Sequence, residues 1–294
     1  MDPIVIVVVL AAAVMHAVWN TVLKVGSDRL MTMTVVIGIS GLLAPGLIAF
    51  GPPPSLESWP YIILSALIHC AYFFFLIQAY RVGDLSHAYP LARGSAPLVV
   101  AMGGALFAGE WLSPFEWFGV AMVSTGIISL LVTGSYGLRG VTSSGGATES
   151  GGNWRALFYP IATGMMIASY TVADGLGVRL SGNPASYIGW LMVLSAVPIC
   201  IFAAVRRRGA AINFLRAHWK PSVGGGVLAF TAYSLAIWAL TLGAMVHVSA
   251  LRETSVVIAA LIGTRLLGEP FGARRVLSAT IVAAGVVVMH LTAR

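Results

Sequence analysis

Leu106-Phe107-Ala108-Gly109-Glu110 closes one long apolar stretch, and Leu266-Leu267-Gly268-Glu269 closes another. Arg93 and Gly126 on the first line up with Arg252 and Gly285 on the second at the same offset, so the chain contains itself twice. Each copy holds about five apolar segments of membrane-spanning length. An odd number forces the second copy to enter a membrane upside down relative to the first. Inverted repeats of this kind are an architecture of transporters.

Composition supports a membrane solvent. Of 294 residues, 58% are hydrophobic and 9% charged, where a soluble domain carries roughly 25% charged residues. That is too little charge to coat a water-facing surface, so the chain reads as an all-α integral membrane protein. The net charge of +7 does not point to nucleic acid. Its Lys and Arg residues fall in short clusters between apolar segments, which is the pattern of a cytoplasmic membrane face. Cys70 and Cys200 stand alone in apolar stretches, where sulfur behaves as a small hydrophobe, so neither a disulfide framework nor a metal site is expected. Met1-Asp2-Pro3 leads into an apolar run without a cationic flank, and the run reads as a retained first helix rather than a signal peptide.

Ten segments reach the length of a spanning helix: 4–24, 31–50, 59–80, 86–108, 115–134, 155–178, 185–205, 222–242, 246–267 and 273–292. Gly51-Pro52-Pro53-Pro54, Ser113-Pro114, Gly182-Asn183-Pro184 and Lys220-Pro221 punctuate the junctions. The Gly/Ser-rich stretch 135–153 sits where a linker belongs, separating a first five-helix repeat (1–134) from a second (154–294). Cations concentrate in loops that follow odd-numbered helices, above all in the Arg206 to Lys220 cluster. By the positive-inside rule these loops are cytoplasmic and both termini face outward, to the periplasm if the membrane is a bacterial inner membrane.

Taken together, the polar residue in the fourth helix of each half, the run of small residues, the Gly-Glu pair and the Gly-containing fifth helix resemble the EamA domain of the drug/metabolite transporter superfamily. The resemblance covers both halves. It implies a ten-helix carrier with a central cavity, often exporting amino acids or other small metabolites, and it includes aromatic amino acid exporter-like members. In one respect the chain departs from the superfamily. Small four-helix multidrug members use a carboxylate in the middle of the first helix, whereas the first helix here offers His16, Trp19 and Asn20, and the sixth has Asp174 only toward its end.

Intramembrane charges are costly, so those that remain usually face a polar interior. Arg93, Arg252 and Glu253 are the clearest cases. Each Arg lies about 10 Å into its helix at 1.5 Å per residue, and helices entering from opposite faces would put the two on either side of the midplane. The planar guanidinium fork matches a carboxylate, so either Arg is a candidate for an acidic substrate group or, alternatively, a clamp between helices. Glu253 points about 100° away from Arg252 on a helix and must find another partner. Trp19, Asn20, Tyr72, Tyr89, Tyr170, Tyr233 and Trp238 are the further substrate-binding candidates, the aromatics offering an apolar body with a polar tip. His16, His69, His247, Asp174 and Glu253 are candidates for proton coupling. Glu110 and Glu269 read as structural, each placed to cap the helix that follows.

Helices 1, 3, 4, 6, 8 and 9 are expected to surround a midplane cavity. No phosphate loop of the form G-x-x-x-x-G-K-[ST] is present, and no cofactor and no enzymatic centre is expected, so the partners are a small-molecule substrate and the bilayer. The expected function is secondary transport, in the direction of export, of small amphipathic metabolites such as amino acids by alternating access, with a lipid or lipid-linked-sugar flippase or a cationic drug exporter as the alternative. The sequence leaves the oligomeric state open, and a monomer suffices for a cavity built from two halves of one chain.

Overall fold

The computed structural model describes residues 2–26, 28–49, 51–82, 85–132, 154–207, 209–267 and 273–292. These form the α-helices α1 (Pro3–Val25), α2 (Arg29–Ala49), α3 (Trp59–Val82), α4 (Leu85–Ala108), α5 (Pro114–Val132), α6 (Trp154–Leu180), α7 (Pro184–Arg206), α8 (Ala210–Ala217), α9 (Trp219–Ala239), α10 (Met245–Arg252), α11 (Thr254–Leu267) and α12 (Ala273–Thr292). Among the described residues, seven helical stretches are long and apolar enough to cross a membrane, in α1 to α4, α6, α7 and α9. The linker 135–153 and Glu269 lie outside the described residues.

Helix ends follow local chemistry. Asp2 caps α1 by accepting the Ile4 N–H at 2.7 Å, with Pro3 at the first helical position, where a missing N–H costs nothing. Asn183 and Pro184 repeat the arrangement at α7. Ser113 and Glu116 form a reciprocal capping box at α5, Ser113 N–H donating to Glu116 Oε2 at 2.7 Å and Glu116 N–H to Ser113 Oγ at 3.3 Å. Exposed apolar side chains such as Leu42, Leu67, Phe107 and Val205 belong on helices solvated by lipid rather than water.

One expectation fails in an informative way. The segment 246–267 was expected as a single helix, but α10 ends at Arg252 and α11 begins at Thr254. At the junction the ladder tightens. Glu253 N–H is shared between Ser249 O at 3.2 Å and Ala250 O at 3.1 Å, and Val256 N–H turns to Glu253 O at 2.9 Å, a three-residue spacing that leaves the Arg252 carbonyl without its helical donor. A broken helix at membrane depth must have its freed backbone groups satisfied by protein. Arg93 does this, its Nη2 approaching Arg252 O at 3.5 Å.

The helices pack in matched sets. Pairs α2–α7 and α5–α12 stand alone, while α3–α6 is matched by α9–α1, α4–α6 by α11–α1, α3–α7 by α9–α2, and α4–α5 by the contacts of α10 and α11 with α12. Exchanging α1 with α6, α2 with α7, α3 with α9, α4 with α10 and α11, and α5 with α12 maps this set onto itself. The α5–α12 crossing is close because two glycines face each other. A Cβ on Gly119 would lie 2.9 Å from Gly285 O, and one on Gly285 would lie 2.8 Å from Gly119 O, so only small residues fit there.

Two seams tie the ends. On the side of α1's first residue, Ser55 N–H and Oγ donate to Ser181 O at 3.0 Å and Leu180 O at 2.7 Å, and Asn183 Nδ2 donates to Pro52 O at 2.8 Å. On the opposite side Arg207 pairs with Asp28 at 2.5 Å.

Candidate functional site

A cavity of about 80 Å³ opens near the middle of the helices, roomier than a single water requires. Half of its lining residues carry rings. α1 supplies His16 and Trp19, α3 supplies His69, Tyr72 and Phe73, α6 supplies Tyr170 and α9 supplies Tyr233. The rings brace one another, His69 stacking on Tyr170 at 4.1 Å between centroids and meeting Tyr233 edge-on at 5.3 Å. His69 is fixed by Ser65, whose carbonyl lies 2.8 Å from Nδ1, and Trp19 Nε1 donates to His16 Nδ1 at 3.2 Å.

Arg252, the last residue of α10, is the charged residue that lines this cavity, and it is 7% exposed. Its guanidinium carbon sits 5.8 Å from the centre of the Tyr233 ring, within cation–π range. Among the described residues no acceptor receives a hydrogen bond from that guanidinium. Glu253, one residue on, is committed elsewhere, accepting from Arg93 Nε at 2.9 Å with both side chains almost wholly buried. The helix break therefore separates two roles. Arg93 and Glu253 neutralise each other behind the cavity wall, and Arg252 is left to face the space. Asp174 is also buried and holds the wall, accepting from Tyr233 OH at 2.6 Å and Tyr187 OH at 3.1 Å.

The expected residues are thus partly brought together. His16, Trp19, His69, Tyr72, Tyr170, Tyr233 and Arg252 line one cavity, and Asp174 adjoins it through Tyr233. Arg93 does not line it, and its Nη2 instead approaches the Arg252 carbonyl at 3.5 Å. Glu253 finds the other partner it was expected to need. Asn20 donates to the His16 carbonyl at 2.8 Å and, like Trp238 near the end of α9, lies away from the cavity wall. The Tyr89 side chain lies outside the described residues. His247 lies at the other end of α10, its Nε2 3.1 Å from Glu116 Oε1 but not aligned for a hydrogen bond.

The wall also corrects the expected helix set. Among the described residues α4 supplies no side chain to the wall, whereas α2 supplies Ile37 and Ser40, and α7 supplies Leu191, Met192 and Ser195. Ser40 and Ser195 are each the twelfth residue of their helix, isolated hydroxyls in apolar surroundings. That polarity was the available signal. Ser40 Oγ bonds back to Val36 O at 3.1 Å and across to Gly226 O of α9 at 3.0 Å.

Glu110 is structural, but the helix it caps is not the one expected. Glu116 serves α5, and Glu110 Oε2 accepts the Met245 N–H at the start of α10 at 2.8 Å while Oε1 pairs with Arg179 at 2.7 Å. Arg179 then donates to Leu240 O at 2.9 Å and Gly243 O at 2.8 Å. The end of α4, the end of α6 and the loop before α10 are latched together on the side of α1's first residue. Glu110→Ala is expected to cost about 1–2 kcal/mol, chiefly the lost cap with a small screened ion-pair contribution. Melting in detergent measures it, and no change in midpoint would show the latch to be idle.

The EamA-like transporter family matches residues 3–132 and 154–291. An uncharacterized transporter in the cobO 3' region of Sinorhizobium sp. is 35% identical over 76 residues, covering 26% of this chain and 53% of that protein. The chain thus spans about half the length of this curated relative. A solved crystal structure at 16% identity superposes with a TM-score of 0.72 over 99% of this chain and 96% of the other, which shows a shared fold. Matched by the family on both sides of residues 133–153, the chain belongs to the EamA-like transporter family.

Proposed function

We propose that this protein is a secondary transporter, working outward, for small amphipathic carboxylates such as amino acids. The observation that carries the reading is the Arg252 guanidinium, buried in an aromatic-lined cavity with no protein acceptor among the described residues. A buried charge without a partner is expensive, and a substrate carboxylate supplies the two parallel acceptors that the fork is shaped for. Trp19, Tyr72, Tyr170 and Tyr233 then take the apolar body. A cation would meet Arg252 as a like charge, which disfavours the cationic-drug reading.

The transport cycle we assign is alternating access between two inverted five-helix repeats, 1–134 and 154–294, joined by the linker 135–153 and forming ten spans, the ninth of them broken. The matched packing of α1 with α6 through α5 with α12 supports it, because such pairs exchange equivalent contacts when one half rocks against the other. The broken helix at Glu253 is the kind of element that builds a site at membrane depth. Both termini are assigned to the periplasmic face of a bacterial inner membrane, on the cation count. Of the candidates for proton coupling, His16, His69 and Asp174 lie at the cavity, whereas Glu253 is held by Arg93 and His247 is remote.

The test is flux in proteoliposomes. Labelled phenylalanine should exchange at least about ten-fold faster than phenylalaninamide, the cost of one charged contact, and efflux should exceed uptake in vesicles of uniform orientation. Transport of amines or scrambling of lipid in place of the acid would overturn the assignment.

A further inference from the structure

A second cavity of about 340 Å³ lies between α3 and α7, toward the side on which α3 ends. Its wall includes Cys70, Phe73, Gln78 and Arg81 of α3, and Pro198 and Phe202 of α7. Phe73 belongs to both cavities, and it is the residue they have in common. It lies nine residues before the end of α3, about 13 Å at the helical rise, so the second cavity runs from that end to the depth of the central one. Phe74 and Phe202 at its rim are about half exposed, facing lipid in a spanning chain. Arg81 is exposed and stands at the outer end, at the depth where cationic side chains meet the headgroup layer. Pro198 lies within α7 and removes one backbone donor beside the opening, a local weak point of that helix.

From this arrangement we infer that the α3–α7 cavity is a substrate antechamber opening toward the bilayer, in which an amphipathic carboxylate is held by Arg81 before passing Phe73 into the central cavity. The inference rests on the carboxylate reading of the central site. Three observations fit one occupant. Exposed Arg81 stands at the outer end, an apolar wall follows, and at the inner end Phe73 lines both cavities. An amphipathic acid satisfies all three at once, with its charge outermost and its apolar body toward Phe73. In this proposal the Phe73 ring is the element that moves, by about one χ1 step, to join the two spaces.

Cys70 is a built-in reporter, since it lines the antechamber and Cys200 can be removed. In Cys200→Ser protein reconstituted in neutral lipid, an anionic methanethiosulfonate should modify Cys70 about three-fold faster than a cationic one of similar size, the scale of an exposed charge interaction. Arg81→Gln should abolish that preference and Arg81→Lys should retain it, because a point charge suffices here. Saturating 3-phenylpropionate should slow the modification, and 3-phenylpropanamide should not. In flux, Arg81→Gln should raise the KM for the acid about three-fold with the maximal rate unchanged, and leave the amide unaffected.

Protection of Cys70 by 3-phenylpropionate should persist in Arg252→Gln protein, so loss of the central site and loss of the antechamber read out separately. Equal modification by both reagents with no protection by the acid would overturn the proposal. So would a Cys70 that reacts only after delipidation and ignores the acid, which would make the cavity a lipid seat.

Discussion

Glu253→Gln is expected to lower stability by about 3–5 kcal/mol, because it strands a buried Arg93 guanidinium without its counter-charge. Arg93 and Glu253 meet at 2.9 Å with side-chain exposures of 4% and 2%, so water cannot take the place of the lost carboxylate. The loss should be visible as a lowered midpoint in detergent melting and as poor yield of folded protein. Removing both charges at once, as Arg93→Met with Glu253→Met, should recover most of it, since two apolar side chains leave neither a buried charge nor an unpaired amide. Recovery should stop short by about 1 kcal/mol, the value of the Arg93 hydrogen bond to the Arg252 carbonyl. A double-mutant cycle measures the coupling directly. Additive losses would show that the pair is not a unit. A Glu253→Gln protein of full stability that had lost only gradient-driven transport would return Glu253 to the proton-coupling role for which it was first considered.

That pair marks the boundary of what the sequence made legible. The apolar segments were plain, because each is a local property of about 20 residues, and the duplication was plain because Arg93, Gly109-Glu110 and Gly126 recur with one spacing. The helix break was not. Nothing between Met245 and Leu267 contains Pro or a Gly pair at the junction, and the turn at Glu253 is held by Arg93, 160 residues away in sequence. The exact helix capped by Glu110 was hidden for the same reason, since its partners Arg179 and Met245 lie in the other half of the chain. The aromatics of the cavity were readable as polar-tipped residues inside apolar helices. Which arginine faces the space was not readable, because both sit at similar depth in equivalent helices. The decision falls to Glu253, which is present after Arg252 and has Gly94 as its counterpart after Arg93. At this position the halves differ by a single carboxylate.

Arg252→Gln should then reduce transport of carboxylate substrates by about 100-fold, the loss of a buried, charge-assisted contact worth about 3 kcal/mol. Arg252→Lys should fall between, about ten-fold down, because an ammonium keeps the charge but cannot present two parallel donors to one carboxylate. The same changes at position 93 should act differently. Arg93→Lys disturbs the contact with Glu253 and the bond to the Arg252 carbonyl, so it should lower stability and slow acid and amide alike, leaving their ratio near that of wild type. The ratio is the useful readout because a variant that merely folds badly lowers both substrates together. Neutral glutamine at 252 should also flatten discrimination, so that phenylalanine and phenylalaninamide move at similar slow rates. Retention of the acid-to-amide ratio in Arg252→Gln protein, measured by flux in proteoliposomes at matched folded content, would make Arg252 a helix clamp like Arg93. The cavity would then need a different recognition group, and the hydroxyls of Ser40 and Ser195 on the two helices absent from the expected wall would be the next to replace.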